Sequence, residues 1–189
     1  VEHDHGASRC RFRLGESGQR GRRYDLRRDP FELSAEASGG FHIRKKAAPA
    51  TPYTITAGFI PDPLISNFHT VGLCFRDAGG KLGTFSLQGY DGAIPGLNIG
   101  AHKYNSPTSY SGTYLSRGYS PGALLWLRIA DNGTNRICSV SGDGVHWRVF
   151  HTIGRTDFLT ATEVGFFLDV TDSGVLHGTG ITLVSWLQA

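Results

Sequence analysis

Short runs of alternating apolar and polar side chains, each stopped by a turn about every 8 to 12 residues, decide what this chain can become. Tyr53-Thr-Ile-Thr-Ala-Gly-Phe-Ile60 shows the pattern: bulky apolar groups alternate with small or polar ones, and Pro61 and Pro63 close the run. Similar runs follow at 70–76, 82–87, 97–104, 124–130, 136–141, 145–150, 164–170 and 180–187, separated by turns such as Asp77-Ala-Gly-Gly80 and Gly89 to Gly92. About ten strands at this spacing predict an antiparallel sandwich or barrel. Only 156–163 carries the text of a helical turn. With 26 glycines, 11 phenylalanines, seven tyrosines and three tryptophans, the composition agrees with aromatic-rich strands joined by glycine turns. A length of 189 residues is enough for one main domain with a full core. No run approaches the roughly 18 consecutive apolar residues of a membrane helix. Phe75, Phe85, Leu87, Trp126, Ile137, Phe166 and Trp186 are the expected core residues, and Cys74 and Cys138, inside strand text, are expected as buried free thiols.

Charge divides the chain. Residues 1–30 hold eight arginines against five acids, whereas residues 31–189 hold eleven basic and eleven acidic residues, so the whole formal charge of +3 sits at the start. Residues 1–40 therefore read as a basic leader, either weakly ordered or an out-of-frame version of the domain's first strand, ahead of a domain over 41–189. A basic arm can meet phosphate or anionic membranes, yet RGRRYDLRRD has little apolar period. Neither nucleic acid nor membrane is expected as a partner.

The stretch WLRIADNGTNRICSVSGDGVHW, from Trp126 to Trp147, contains two strong hairpin signals, Asn132-Gly133 and Asp143-Gly144. Both turn positions need a positive φ, which Asn, Asp and Gly tolerate best. It reads as a three-stranded meander, with Asp143 a turn former rather than a metal ligand or catalytic acid. Preceded by YTITAGF and GLCFRD and followed by VGFFLD and LVSW, this order resembles the concanavalin A-like lectin/glucanase jelly rolls. More narrowly, it is similar to the lectin-like domains of phage tail-associated proteins and to accessory modules of bacterial glycosidases. The resemblance covers roughly 41–189 and implies a two-sheet antiparallel jelly-roll sandwich.

The fold hosts many unrelated activities, so function must come from side chains. Laminarinase-like glycosidases of this fold carry two glutamates bracketing an aspartate on one strand, at the spacing a retaining mechanism needs. No such triplet occurs here; beyond Glu36 the only glutamate is Glu163. The eight histidines lack metal-ligand spacing, and there is no Gly-x-Ser-x-Gly elbow. The chain is expected to be noncatalytic and without a resident cofactor or metal. The competing expectation is calcium, which legume-type lectins of the fold use, with Asp169 and Asp172, or Asp131 and Asn132, as hard oxygen ligands.

The stretch HKYNSPTSYSGTYLSRGYSPG, from His102 to Gly122, is the candidate recognition segment. Tyrosine offers a rigid amphipathic face to a sugar ring, while Ser and Asn adapt their hydrogen bonds. Tyr104, Asn105, Tyr110, Tyr114, Tyr119 and Trp147 are the candidate glycan-binding residues, against the alternative that the rings are strand residues packed on neighbours. Two readings follow. One is a lectin-like module that binds carbohydrate or cell-surface polysaccharide for a phage or bacterium, virion-borne or extracellular. The other is a structural virion or tail-assembly sandwich that makes protein contacts and associates with itself.

Overall fold

A computed structural model describes residues 12–14, 32–35, 41–61, 68–90, 96–118, 124–169 and 181–189. The described residues form thirteen strands in two sheets. The first sheet runs, in spatial order, β1 (Phe12–Leu14), β13 (Ile181–Gln188), β4 (Tyr53–Pro61), β9 (Leu125–Asp131), β10 (Asn135–Ser141) and β11 (Arg148–Gly154). The second runs β2 (Glu32–Ala35), β3 (Phe41–Ala47), β12 (Glu163–Asp169), β5 (Thr70–Arg76), β6 (Leu82–Tyr90), β7 (Gly96–Ser106) and β8 (Ser109–Gly118). All pairings are antiparallel except β1 on β13. This is the expected two-sheet jelly-roll sandwich. Two short strands fall within the first 40 residues, β1 against β13 and β2 against β3. Where a helical turn was expected over 156–163, residues 156–162 form an irregular connection and Glu163 already opens β12.

Alternation decides which side chains meet between the sheets. Val71, Leu73 and Phe75 of β5, Phe85 and Leu87 of β6, and Val164, Phe166 and Leu168 of β12 face Ile55, Ala57 and Phe59 of β4 and Leu125, Leu127 and Ile129 of β9. Phe75, Phe85, Leu87 and Phe166 are core as expected, and Trp186 packs against that core. Trp126 and Ile137 are not in it. Leu125, Leu127 and Ile129 share one phase of β9, and three aliphatics outweigh Trp126, Arg128 and Ala130 on the other, so the indole turns outward. Ile137 pairs with Ala130 and follows it to the outer face. Cys74 and Cys138 are buried thiols without a disulfide, and burial pushes each up to about 12.

The second sheet also encloses a smaller core on its far side. Phe41, Ile43, Cys74, Leu82, Tyr104 and Phe167 cluster there, all buried. In a flat sheet, β3 and β7 would lie about 19 Å apart across four strand spacings. Yet the Phe41 and Tyr104 rings meet edge to face at 5.8 Å, so the sheet is strongly coiled. Gly72 and Gly165 permit the coil: a Cβ on Gly72 would run into the Phe85 backbone, and one on Gly165 into that of Arg44.

Candidate functional site

The acidic turn can be resolved atom by atom. Asp143 Oδ1 accepts the Ser141 hydroxyl at 2.9 Å and the backbone N–H groups of Val145 and His146 at 2.8 Å each, and Oδ2 lies 2.7 Å from His146 Nδ1. Gly144 supplies a positive φ of 76°. The carboxylate is occupied in shaping its own loop. These hydrogen bonds hold Asp143 well below the ordinary carboxylate range, and the same contact raises His146.

The β7–β8 hairpin collects three of the predicted residues. Its tip is Pro107-Thr108, and Tyr104 and Tyr110 are register partners whose rings meet edge to face at 5.6 Å. Tyr104 is only 7% exposed and forms the base; Tyr110 is 58% exposed and stands on it. The Tyr110 hydroxyl shares a hydrogen bond with Thr113, which fixes the ring's angle, and Asn105 is exposed beside the tip. Burial, first, and then the charge of Asp169 raise the Tyr104 hydroxyl well above its usual value, so it stays a neutral phenol.

The other candidates lie elsewhere. A register shift between Lys103 and Tyr104 puts Tyr114 out of phase with Tyr110, and Tyr114 packs on the inner side, 5.8 Å from the His151 ring and beneath the Lys103 ammonium at 4.6 Å. Trp147 lies beyond the acidic turn on the outer face of the first sheet, with the Arg128 guanidinium 3.7 Å from its ring centroid. Its Nε1 donates to the Gly144 carbonyl at 3.1 Å. A hollow of about 360 Å³ opens there, lined by Val140, Ser141, Gly142, His146, Trp147 and Arg148. Tyr119 lies outside the described residues.

Beside the tyrosine pair lie three polar groups that sequence reasoning passed over. Thr84, Ser86 and His102 project from β6 and β7 onto the coiled face, where Thr84 and His102 are register partners. All three are buried, and Thr84 Oγ1, Ser86 Oγ and His102 Nδ1 meet no hydrogen-bond partner. Burial lowers His102 to about 4, leaving a neutral imidazole. Gly100 leaves room for that ring, because a Cβ there would strike it. The signal was present in Gly83-Thr-Phe-Ser-Leu87, where Thr84 and Ser86 take the opposite phase to core Phe85 and Leu87.

The described carboxylates named above or set by turns are engaged. Glu163 pairs with Lys45 at 2.8 Å. Asp131 is buried, contacts Arg155 Nε at 3.1 Å and Arg136 Nε at 3.7 Å, and accepts the Gly133 N–H at 2.9 Å. Asn132 Oδ1 accepts the N–H groups of Thr134 and Asn135. Their oxygens accept the hairpin's own N–H groups. Asp172, the partner considered for Asp169, lies outside the described residues. Among the described residues no three His, Cys, Asp or Glu side chains gather as a metal-ligand group.

No family model and no curated protein matches the sequence. Solved structures do. A GH43 protein, BlXynB from Bacillus licheniformis, superposes with a TM-score of 0.55 at 19% identity over 73% of this chain, which spans 27% of that protein's length. The exoplasmic/lumenal domain of VIP36, in its Ca2+/Man-bound form, superposes at 0.54 with 11% identity, covering 84% of this chain and 81% of that one. The CBM2 module of the evolved Dit of Lactobacillus casei BL23 phage J-1 gives 0.52 at 10% identity, covering 85% and 77%. At such identities the likenesses show the fold and nothing finer: the chain is an antiparallel two-sheet jelly-roll sandwich.

Proposed function

We propose that this chain is a noncatalytic glycan-binding module of a phage or bacterial surface-recognition apparatus, acting on a virion or outside the cell. The observation that carries the reading is Tyr110, an exposed ring held rigid by Tyr104 beneath it and by Thr113 at its hydroxyl. A sugar's apolar C–H face can stack on such a ring, with Asn105 free to adapt to hydroxyls at the tip. Thr84, Ser86 and His102 are buried behind it and so act through the shape of the coiled face rather than by direct contact. The mannose-bound form of VIP36 and the phage CBM2 module support carbohydrate as the partner and a phage as the setting. The test is a glycan array followed by calorimetry on wild type and Tyr110→Ala, with melting temperature as control. Loss of sugar binding with an unchanged melting temperature is the expected result. Absence of binding to any glycan, together with self-association in solution, would shift the assignment to a structural virion domain.

A further inference from the structure

We infer that the hollow beside Trp147 is a second saccharide site, and that it takes an anionic sugar, with the pyranose ring on the indole and its carboxylate or phosphate on Arg148. The inference rests on the glycan-binding reading but uses none of the hairpin residues. Three observations carry it. First, the Trp147 ring is fixed rather than loose: Arg128 lies under one face at 3.7 Å and is itself tied to Thr56 Oγ1 at 3.2 Å, while the indole N–H is anchored to Gly144. A ring immobilised before the ligand arrives avoids the ordering cost of binding.

Second, the charge around the hollow is net positive: Arg148 in its lining and Arg128 beneath the indole stand against the single carboxylate of Asp143. Asp143, the carboxylate of the neighbouring turn, spends both oxygens on Ser141, Val145 and His146. Arg148 lines the hollow, is exposed, and makes no ion pair with a described residue. Its planar fork of donors suits a carboxylate or phosphate better than a hydroxyl. Arg128 adds a second positive charge beneath the ring.

Third, the size is right for a sugar. About 360 Å³ is at the small end of ligand sites. Gly142 and Ser141 add no large side chain to the lining, the Ser141 hydroxyl is already engaged with Asp143, and the His146 ring is tied to the same carboxylate, which leaves the Arg148 guanidinium as the charged group of the lining without an ion pair to a described residue.

Calorimetry on the full chain, using a galacturonate oligomer, a glycerol-phosphate oligomer and a neutral xylo-oligosaccharide of matched length, tests this. Wild type is expected to bind at least one anionic oligomer, and which of the two binds names the source of the charge. Arg148→Gln should weaken that binding about tenfold, the loss of one charge-assisted hydrogen bond, and leave neutral sugar binding and melting temperature unchanged. Trp147→Ala should abolish it, and Trp147→Phe, which keeps a stacking ring, should restore part. If anionic oligomers bind but respond to Tyr110→Ala and not to Arg148→Gln, they occupy the hairpin and the inference is wrong. If neutral sugars bind at the hairpin and neither anionic oligomer binds, the inference also fails while the glycan-binding reading stands. Absence of binding by all three overturns the inference, and the glycan array then decides the glycan-binding reading separately.

Discussion

At the scale of single residues, the buried imidazole of His102 has the clearest consequence. Burial lowers it from 6.5 to about 4, so the unfolded chain binds a proton over a pH range in which the folded chain does not. Stability is then complete above the unfolded value and is lost as pH falls below it, levelling off near the folded value. The full loss is about 3 kcal/mol, at 1.36 kcal/mol for each pH unit between the two values. Urea unfolding across mildly acid pH is expected to show this slope, and His102→Gln to flatten it; an identical slope in the variant would mean another group is responsible. His146 is the opposite case, since contact with Asp143 favours its charged form. Its attraction is present at low pH and disappears as pH rises through the raised value. An NMR titration should place His146 above the ordinary histidine range, and Asp143→Asn should return it there.

At the scale of strands and turns, the β9–β10 hairpin shows what was legible and what was not. Asn132-Gly133 announced the turn, and Gly133 does adopt a positive φ of 91°. The carboxylate before it looked like turn chemistry and is more than that. Asp131 is buried between Arg136, which lies over the Phe75 ring at 4.5 Å, and Arg155 from beyond β11. An arginine so deeply buried is not suggested by local pattern, because its neutralising partner belongs to the adjacent strand and its packing surface to the other sheet. Asp131→Ala is expected to cost about 3–5 kcal/mol, the penalty for leaving a buried charge uncompensated, measurable as a shift in urea midpoint. Trp126 was misplaced for a simpler reason: aromatic bulk was weighed above the Leu125/Leu127/Ile129 phase. The Tyr104/Tyr110 pair followed from the segment's composition, but Tyr114's departure from it depends on a bulge that alternation does not reveal.

At the scale of the whole molecule, the order of strands and the coil of the second sheet lay beyond local reading. Period-two alternation marks each strand, yet β12 sits between β3 and β5 only because of contacts made far along the chain. The coil arises from glycines on different strands, whose role appears only when Gly72 meets the backbone of β6 and Gly165 that of β3. A fourth expectation follows: Gly72→Ala should destabilise strongly, while Gly142→Ala, which meets nothing within 4 Å, should be nearly neutral. The first 40 residues bring the edges of both sheets into the same argument. Their charge suggested a tail, yet β1 hydrogen-bonds to β13 and β2 to β3, at one edge of each sheet. Every described member of the main core lies beyond residue 40, so after removal of residues 1–40 circular dichroism should remain that of a sheet protein. What it removes is the outer backbone partner of β3 and of β13, each of which keeps its inner one, and a strand of seven or eight residues uncovered at a sheet edge is a template for another chain. The truncated protein is therefore expected to stay folded but to self-associate, seen as a concentration-dependent mass in light scattering, while the full chain does not change over the same range. A truncated protein that stays monomeric at high concentration would show that β1 and β2 protect neither edge.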